Sequence, residues 1–511
     1  MRLSSKVLIV AMIVMMICCV SAASATDVDD IAVTEDADII EVDDVADSVD
    51  IVEQDDSSDD IIEDVDDSQI GEMDDDIVAD EKVTNDRGIQ SQINNGTVSS
   101  YFDTTTGHIL SSAPSGLQFV GTFSNLPFDY FIIDQSVSLS FASAQFENVG
   151  FKLLYPGLII DGATFNITAP TNKDCYAIDV ENANNVHLSN NIIYYNAPTA
   201  TSYYNHVIRV VGSEGVTVNG NTITAKLPLK DVDYAQPYPS IYTDRVAGVA
   251  VQSSNGFNFT NNTLDVEVSA ISGGYPTLDA FIIVDSNNSY ITKNRIKEID
   301  GKTAANSANF LYAVDVYSCY NITIDRNVID LNSDGGNLTL NGTGAAYGIQ
   351  LSGNHTGVKI SNNNITTANN GPNLGIYSQN YNGYTNLTIT GNRINVTGRA
   401  GTHPWALVSG MELQDTYATV TGNTIDVYNI GGYSASNCVY GISYSQSTSG
   451  PHTYVITGNT VNVSTGRYAV YLDNAINSII ANNYLKARSY HGNSAVRIVS
   501  GSNNNVSGNT P

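Results

Sequence analysis

Carboxylates, arginines and tyrosines that recur at matching places in a repeated sequence could cleave or bind a polysaccharide. One such set runs through this chain: Asp179, Arg209, Ala250, Ile283, Asp315, Gln350, Tyr377, Glu412, Ser443, Tyr471 and Arg497, each within a short apolar stretch such as Ala177-Ile178-Asp179-Val180. Hydrolysis needs two carboxylates facing one glycosidic bond, and a lyase needs carboxylates on calcium with an Arg or Lys base. The column offers neither. Asp315 and Glu412 stand three repeats apart, roughly 14 Å at a strand spacing of ~4.8 Å, too far even for an inverting pair. Asp179 and Arg209 fall in adjacent repeats and are expected to form a surface ion pair. No catalytic residue is assigned.

Binding chemistry is more visible. The stretch from Ala225 to Arg245 is rich in Pro and Tyr, with Gln236-Pro237-Tyr238-Pro239 flanked by Tyr234 and Tyr242, and a second insert, Gly398 to Trp405, ends on the only Trp. Tyr234, Tyr238, Tyr242 and Trp405 are the candidate ligand-binding residues, because a flat apolar ring with a polar tip suits a sugar face. Tyrosine outnumbers phenylalanine 30 to 13, although strand propensity alone enriches Tyr on a solvated face. The seven histidines share no column, and Cys175, Cys319 and Cys438 are too far apart for a metal or disulfide framework. No metal and no cofactor is expected, and each cysteine is read as a small buried apolar residue.

The elements that must position these residues are repeats. Val216-Thr217-Val218-Asn219-Gly220-Asn221-Thr222-Ile223-Thr224 returns in variant form from about Val186 to the end, most plainly as Leu387-Thr388-Ile389-Thr390-Gly391-Asn392-Arg393-Ile394. Asn191, Asn221, Asn262, Asn294, Asn327, Asn363, Asn392, Asn423, Asn459, Asn483 and Asn509 mark its register. Their spacings fall in the range of stacked solenoids. Alternating Val and Thr make a strand with one buried face, and Asn-Gly-Asn allows a sharp bend through positive φ. Nine to twelve residues earlier lies a second apolar strand, as in Gly248-Val249-Ala250-Val251. Two strands and their turns therefore read as one coil, and stacked coils give parallel sheets with inward Val, Ile and Leu columns and stacked Asn at the turns.

The predicted fold is an all-β parallel β-helix of roughly 11–13 coils. In these repeats the chain resembles the right-handed parallel β-helix proteins, the group that includes pectate-lyase-like folds, and in particular the adhesin-like surface proteins of methanogenic archaea. The resemblance spans Gly121 to Pro511. It implies the right hand of the coil and either adhesion or polysaccharide chemistry. Asn294-Arg295-Ile296-Lys297 resembles the Arg-Ile-Lys of polygalacturonases, but no Gly-His-Gly and no paired Asp precede it, so Arg295 is read as an outward residue beside a turn.

Upstream, Arg2 and Lys6, the apolar run Val7 to Val20 and Ala23-Ser24-Ala25 predict a signal peptide over 1–25, with no membrane span in the mature chain. Residues 26–87 are predicted to be a disordered acidic linker: Thr26 to Asp86 alone hold 27 of the 53 acidic residues and too few large apolar side chains to offset ordering entropy. Residues 88–155 are predicted as an N-terminal cap with atypical first coils, and 156–511 as the repeats. Most of the net charge of −31 thus belongs to the linker, and the remaining 26 acids against 19 bases exclude a nucleic-acid partner. Sequons at Asn95, Asn166, Asn258 and elsewhere suit glycosylation of an exported protein. The chain stops inside a repeat, Asn504 to Pro511, so a partner or a further segment is expected over the last coil. These features predict a secreted or cell-surface protein that binds surface glycans or surface proteins without catalysis, with a polysaccharide lyase, hydrolase or epimerase as the competing class.

Overall fold

The computed structural model describes residues 90–199, 203–231, 246–271, 276–300, 310–333, 345–380, 386–400, 407–414, 417–431, 438–444 and 452–511. The expected leader, 1–25, and acidic linker, 26–87, lie outside the described residues.

Among the described residues, coils from Gly150 onward contain three strands, not the two expected. In one coil they are Asn205–Val211, Thr217–Asn219 and Thr222–Asp231. Each pairs in parallel with its counterpart in the next coil, Ala247–Gln252, Asn258–Thr260 and Thr263–Ile271. We call the three resulting ladders sheets 1, 2 and 3 in chain order. Among the described residues sheet 2 has 12 strands, which agrees with the predicted number of coils. The molecule is a parallel β-helix, with the right hand that parallel crossovers take. The extra strand arises because the repeat read as one strand is broken at Gly220, whose φ of +69° turns Thr222-Ile223 into a separate sheet.

Eleven consecutive asparagines hold this corner. Asn191 and Asn221 are linked from Nδ2 to Oδ1 at 2.9 Å, and the same bond recurs between every successive pair down to Asn483 and Asn509 at 2.8 Å. The second Nδ2 proton goes to a carbonyl of the preceding coil, such as Ile160 or Leu188. Each Oδ1 also accepts a backbone N–H, as Asn221 accepts that of Asn191 at 3.0 Å. All of these asparagines are buried, and a buried amide is tolerated only when its donors and acceptor are paired. The residue before every ladder asparagine, Asn190 and Gly220 among them, has left-handed φ.

The interior is filled by stacked apolar side chains. Val218, Phe259, Ile291, Ile324, Ile360, Ile389, Val420, Ile456 and Ile480 succeed one another in sheet 2, all fully buried. Toward the N-terminus phenylalanines take over: Phe119, Phe123, Phe131, Phe146 and Phe151 pack edge to face and stacked at 5.0–5.9 Å, which adds oriented ring contacts to area burial.

Sheet 1 bends at one residue per strand. The ladder pairs His206 with Ala247 and Ile208 with Val249 and passes over Val207 and Gly248 between them. Space here is short: at the equivalent Gly410, a Cβ would lie 2.6 Å from the carbonyl oxygen of Gly441 and 2.3 Å from Ile425. The bend puts residues three apart, such as His206 and Arg209, on the same outward side.

Candidate functional site

The bend doubles the outward face of sheet 1. One column is Lys152, Asp179, Arg209, Ala250, Ile282, Asp315, Gln350, Tyr377, Glu412, Ser443, Tyr471 and Arg497. It matches the predicted column except that Ile282, not Ile283, stands beside Ala250. Ile283 lies in the interior core. Phe281-Ile282-Ile283-Val284 is apolar without a break, so it carries no alternation from which to read the phase.

The second column, invisible without the bend, holds Tyr176, His206, Ala247, Asp279, Tyr312, Tyr347, Leu374, Ser409, Tyr440 and Tyr468. Ring contacts join the two columns. Tyr347 meets Tyr377 at 5.5 Å and Tyr440 stacks on Tyr471 at 4.7 Å, while Arg209 lies 5.0 Å from the centre of the Tyr176 ring.

Along the axis this face changes character. Near the N-terminal end, Arg209 Nη1 donates to both Asp179 oxygens at 3.0 and 2.9 Å, and Lys152 Nζ lies 2.8 Å from Glu181 and 3.8 Å from Asp179. The expected surface pair is in fact buried, Asp179 at 2% and Arg209 at 6% exposure. Burial pushes the Asp179 carboxyl up to about 6 despite the pull of Arg209 and Lys152, whereas the Lys152 hydrogen bond holds Glu181 below the usual carboxylate range. These four charges brace one another, which fits a structural role.

Next comes a small apolar cluster of Ala247, Ala250, Ile282 and Val284. Beyond it Asp279 and Asp315 lie on adjacent coils, both buried. At the C-terminal end Ser443 donates to Glu412 and lies 2.9 Å from Ser409. Tyr440, Tyr468, Tyr471 and Tyr490 follow as an aromatic group. Among the described residues no three of His, Cys, Asp and Glu form a metal-holding group.

No protein-family model and no curated protein matches this sequence. Among solved structures the chain is similar to the Dettilon tailspike protein gp208, at 15% identity and TM-score 0.38, covering 77% of this chain and 61% of that one. It is also similar to the periplasmic alginate epimerase AlgG, at 11% identity and TM-score 0.36 over 78% of this chain and 83% of that one. PfbA, a surface adhesin of Streptococcus pneumoniae, matches at 11% identity and TM-score 0.33, over 73% and 84%. The chain therefore spans less than two thirds of the tailspike's length.

The four predicted ligand-binding residues, Tyr234, Tyr238, Tyr242 and Trp405, lie outside the described residues. In chain order their segments, 232–245 and 401–406, both run from a strand of sheet 3 to one of sheet 1. Arg295 is exposed at the start of its strand, as expected, and Cys175, Cys319 and Cys438 are buried and unbridged. His206, His355 and His452 are buried, His206 between Tyr176 and Tyr204, His452 against Tyr444 and Tyr454, and His355 with its Nε2 3.0 Å from Ser378 Oγ.

A shallow cleft of about 140 Å³ lies between Asp129, Tyr130, Lys173, Asp174, Cys175 and Tyr176, with Lys173 held 2.6 Å from Asp129. A wider one of about 550 Å³ on sheet 3 is lined by Glu147, Asn166, Tyr194, Thr224 and Lys226. Among the described residues no helix is long and apolar enough to cross a membrane.

Proposed function

We propose that this protein is an exported, non-catalytic β-helix that binds glycans of cell surfaces, in the manner of adhesin-like repeat proteins, along the outward face of sheet 1. The observation that carries the proposal is the doubled outward column, in which tyrosines from separate coils meet, Tyr347 with Tyr377 and Tyr440 with Tyr471, as two aromatic patches with the coil of Ser409 and Glu412 between them. Aromatic faces take the CH side of a pyranose, and a rigid solenoid holds them in a line that a linear glycan can follow. The Tyr- and Trp-bearing segments each follow a strand of sheet 3 and precede one of sheet 1 in the chain, and connections between strands of a rigid scaffold usually carry recognition. Export follows from the leader pattern. A glycan array probed with the full chain, read for retained protein and released sugar in the same wells, tests this reading; retention without new products supports it, and retention on no glycan overturns it.

A second reading, polysaccharide cleavage, is favoured by Asp279 and Asp315 on adjacent coils of that face. New reducing or unsaturated ends that disappear in Asp279→Asn and Asp315→Asn would establish it.

A further inference from the structure

The last coils reverse the charge of the molecule. From residue 430 to the end the only acid is Asp473, against Arg467, Lys486, Arg488 and Arg497, in a chain whose net charge is −31. Three of the four bases surround the aromatic group at the C-terminal end of sheet 1. Arg467 lies over both Tyr468 and Tyr490, 5.5 and 5.8 Å from the ring centres. Those two rings stack on each other at 5.3 Å and 6°. Arg497 is the ladder partner of Tyr471, which stacks on Tyr440. Arg488 stands one coil beyond Arg467, its backbone N–H on the Gly466 carbonyl at 3.1 Å. The arginines are exposed and the rings of Tyr468, Tyr471 and Tyr490 half-buried. Asp473, the single acid, accepts from Ser500 at 2.5 Å, and among the described residues neither Arg467 nor Arg497 forms an ion pair.

We propose that this corner is a subsite for an acidic polysaccharide, a glycan bearing carboxylate or sulfate groups. The proposal rests on the glycan-binding reading and names the ligand class. Guanidinium groups pair with carboxylate and sulfate through a planar fork. Tyrosine faces supply the apolar contact that a sugar ring offers and a bare anion does not. The coil rise of ~4.8 Å is close to the length of one pyranose unit, so successive sugars crossing the coils meet successive rows of the platform. Duplex or long single-stranded nucleic acid is disfavoured because its continuous negative charge would run from this corner onto the acidic remainder of the chain.

The test uses the full chain in affinity electrophoresis through gels containing polygalacturonate, its fully methyl-esterified neutral form, or single-stranded DNA, at low and at physiological salt. The expected result is retardation by polygalacturonate that weakens with salt, less retardation by the neutral ester, and none by DNA. The double variant Arg467→Gln/Arg497→Gln loses roughly tenfold in affinity for the acidic form only, while Arg295→Gln on sheet 3 does not. If the double variant melts early, the single Arg497→Gln on the outward face replaces it. Equal binding of neutral and acidic forms, or an unaffected double variant, overturns this subsite and leaves glycan binding standing. Retardation by DNA alone, or by nothing, likewise overturns this subsite, while the glycan-binding reading stands or falls by the array.

Discussion

Asn294 places two donors on one oxygen: its backbone N–H at 2.9 Å and its Nδ2 at 3.0 Å both reach Oδ1 of Asn327 in the next coil. Asn327 in turn donates to Ile291 of a preceding coil and to Asn363 of the following one. An interior rung therefore ties three coils together through groups shut off from water.

Replacing Asn327 by Ala strands two buried donors of Asn294 and removes the donor to the Ile291 carbonyl, while Asn363 Oδ1 keeps the backbone N–H of residue 327. With about 1–3 kcal/mol for each buried polar group left unpaired, Asn327→Ala is expected to cost roughly 3–5 kcal/mol. Asn509→Ala, on the outermost and more exposed rung, costs less. Urea unfolding followed by circular dichroism checks both. Because neighbouring coils carry most of a solenoid's stability, the interior variant should also split one unfolding transition into two.

Two rungs carry backbone strain. Lys293 and Arg326 hold φ of +58° and +55°, while every other residue before a ladder asparagine is Asn or Gly. A long side chain costs about 1 kcal/mol or more in this region, and glycine nothing, less its greater unfolded entropy. Lys293→Gly should therefore stabilise by about 0.5 kcal/mol. Arg326→Gly should gain less, since Arg326 Nε also donates to Asp325 at 2.6 Å. Paired melting curves of the two variants decide it; a loss at Lys293 would mean that strain is not what this turn relieves.

The buried ion cluster predicts a pH dependence of definite sign. Asp179 is pushed up to about 6 in the folded protein, above its unfolded value near 3.9. The folded state then holds the proton more tightly, so this group's contribution is fully present below about pH 4 and is lost as pH rises to about 6. The size is roughly 3 kcal/mol. Glu181, shifted down, acts oppositely and only at lower pH, where its contribution falls as it protonates. In Asp179→Asn the decline between pH 4 and 6 should vanish, although the variant is less stable at every pH because Arg209 loses its charged partner at 2.9–3.0 Å. Melting temperatures across pH 3.5 to 7 give the slope; an unchanged slope would rule out Asp179 as its source.

Cysteine reactivity offers a direct folding readout. Cys319 accepts the backbone N–H of Ser286 at 3.4 Å, in the place where Ser254 and Ser286 serve the preceding coils at 3.1 and 2.9 Å. Burial pushes its thiol up to about 12, and that of Cys175 to about 11. Since only the thiolate reacts, none of the three thiols should be labelled by a disulfide reagent at pH 8 until the coils open, and Cys319→Ser should cost under about 1 kcal/mol.

The asparagine register could be read from sequence because Asn221 and its counterparts sit after residues that must turn, and a turn residue leaves a local signature. The inward columns were equally legible wherever Val or Ile alternates with Thr. Two things were not. The split of Val216–Thr224 between sheets 2 and 3 depends on Gly220 adopting positive φ, which a strand-like pattern hides. The second outward column depends on the bend at positions such as Gly248 and Gly410, where small size reads only as weak strand propensity. Without that bend Tyr440 and Tyr471 look like residues on opposite faces, although they stack. The burial of Asp179 and Arg209 was hidden too, since charge in a sequence suggests solvent and only the neighbouring coils show what surrounds it.

The rungs of the asparagine ladder are separated by as few as 24 residues, between Asn459 and Asn483, and as many as 41, between Asn221 and Asn262. They still meet at the same distance. The protein is thus bound like a book whose pages differ in width: the spine is sewn at one corner of every coil, so the length of chain between two stitches can change while the stitching stays the same.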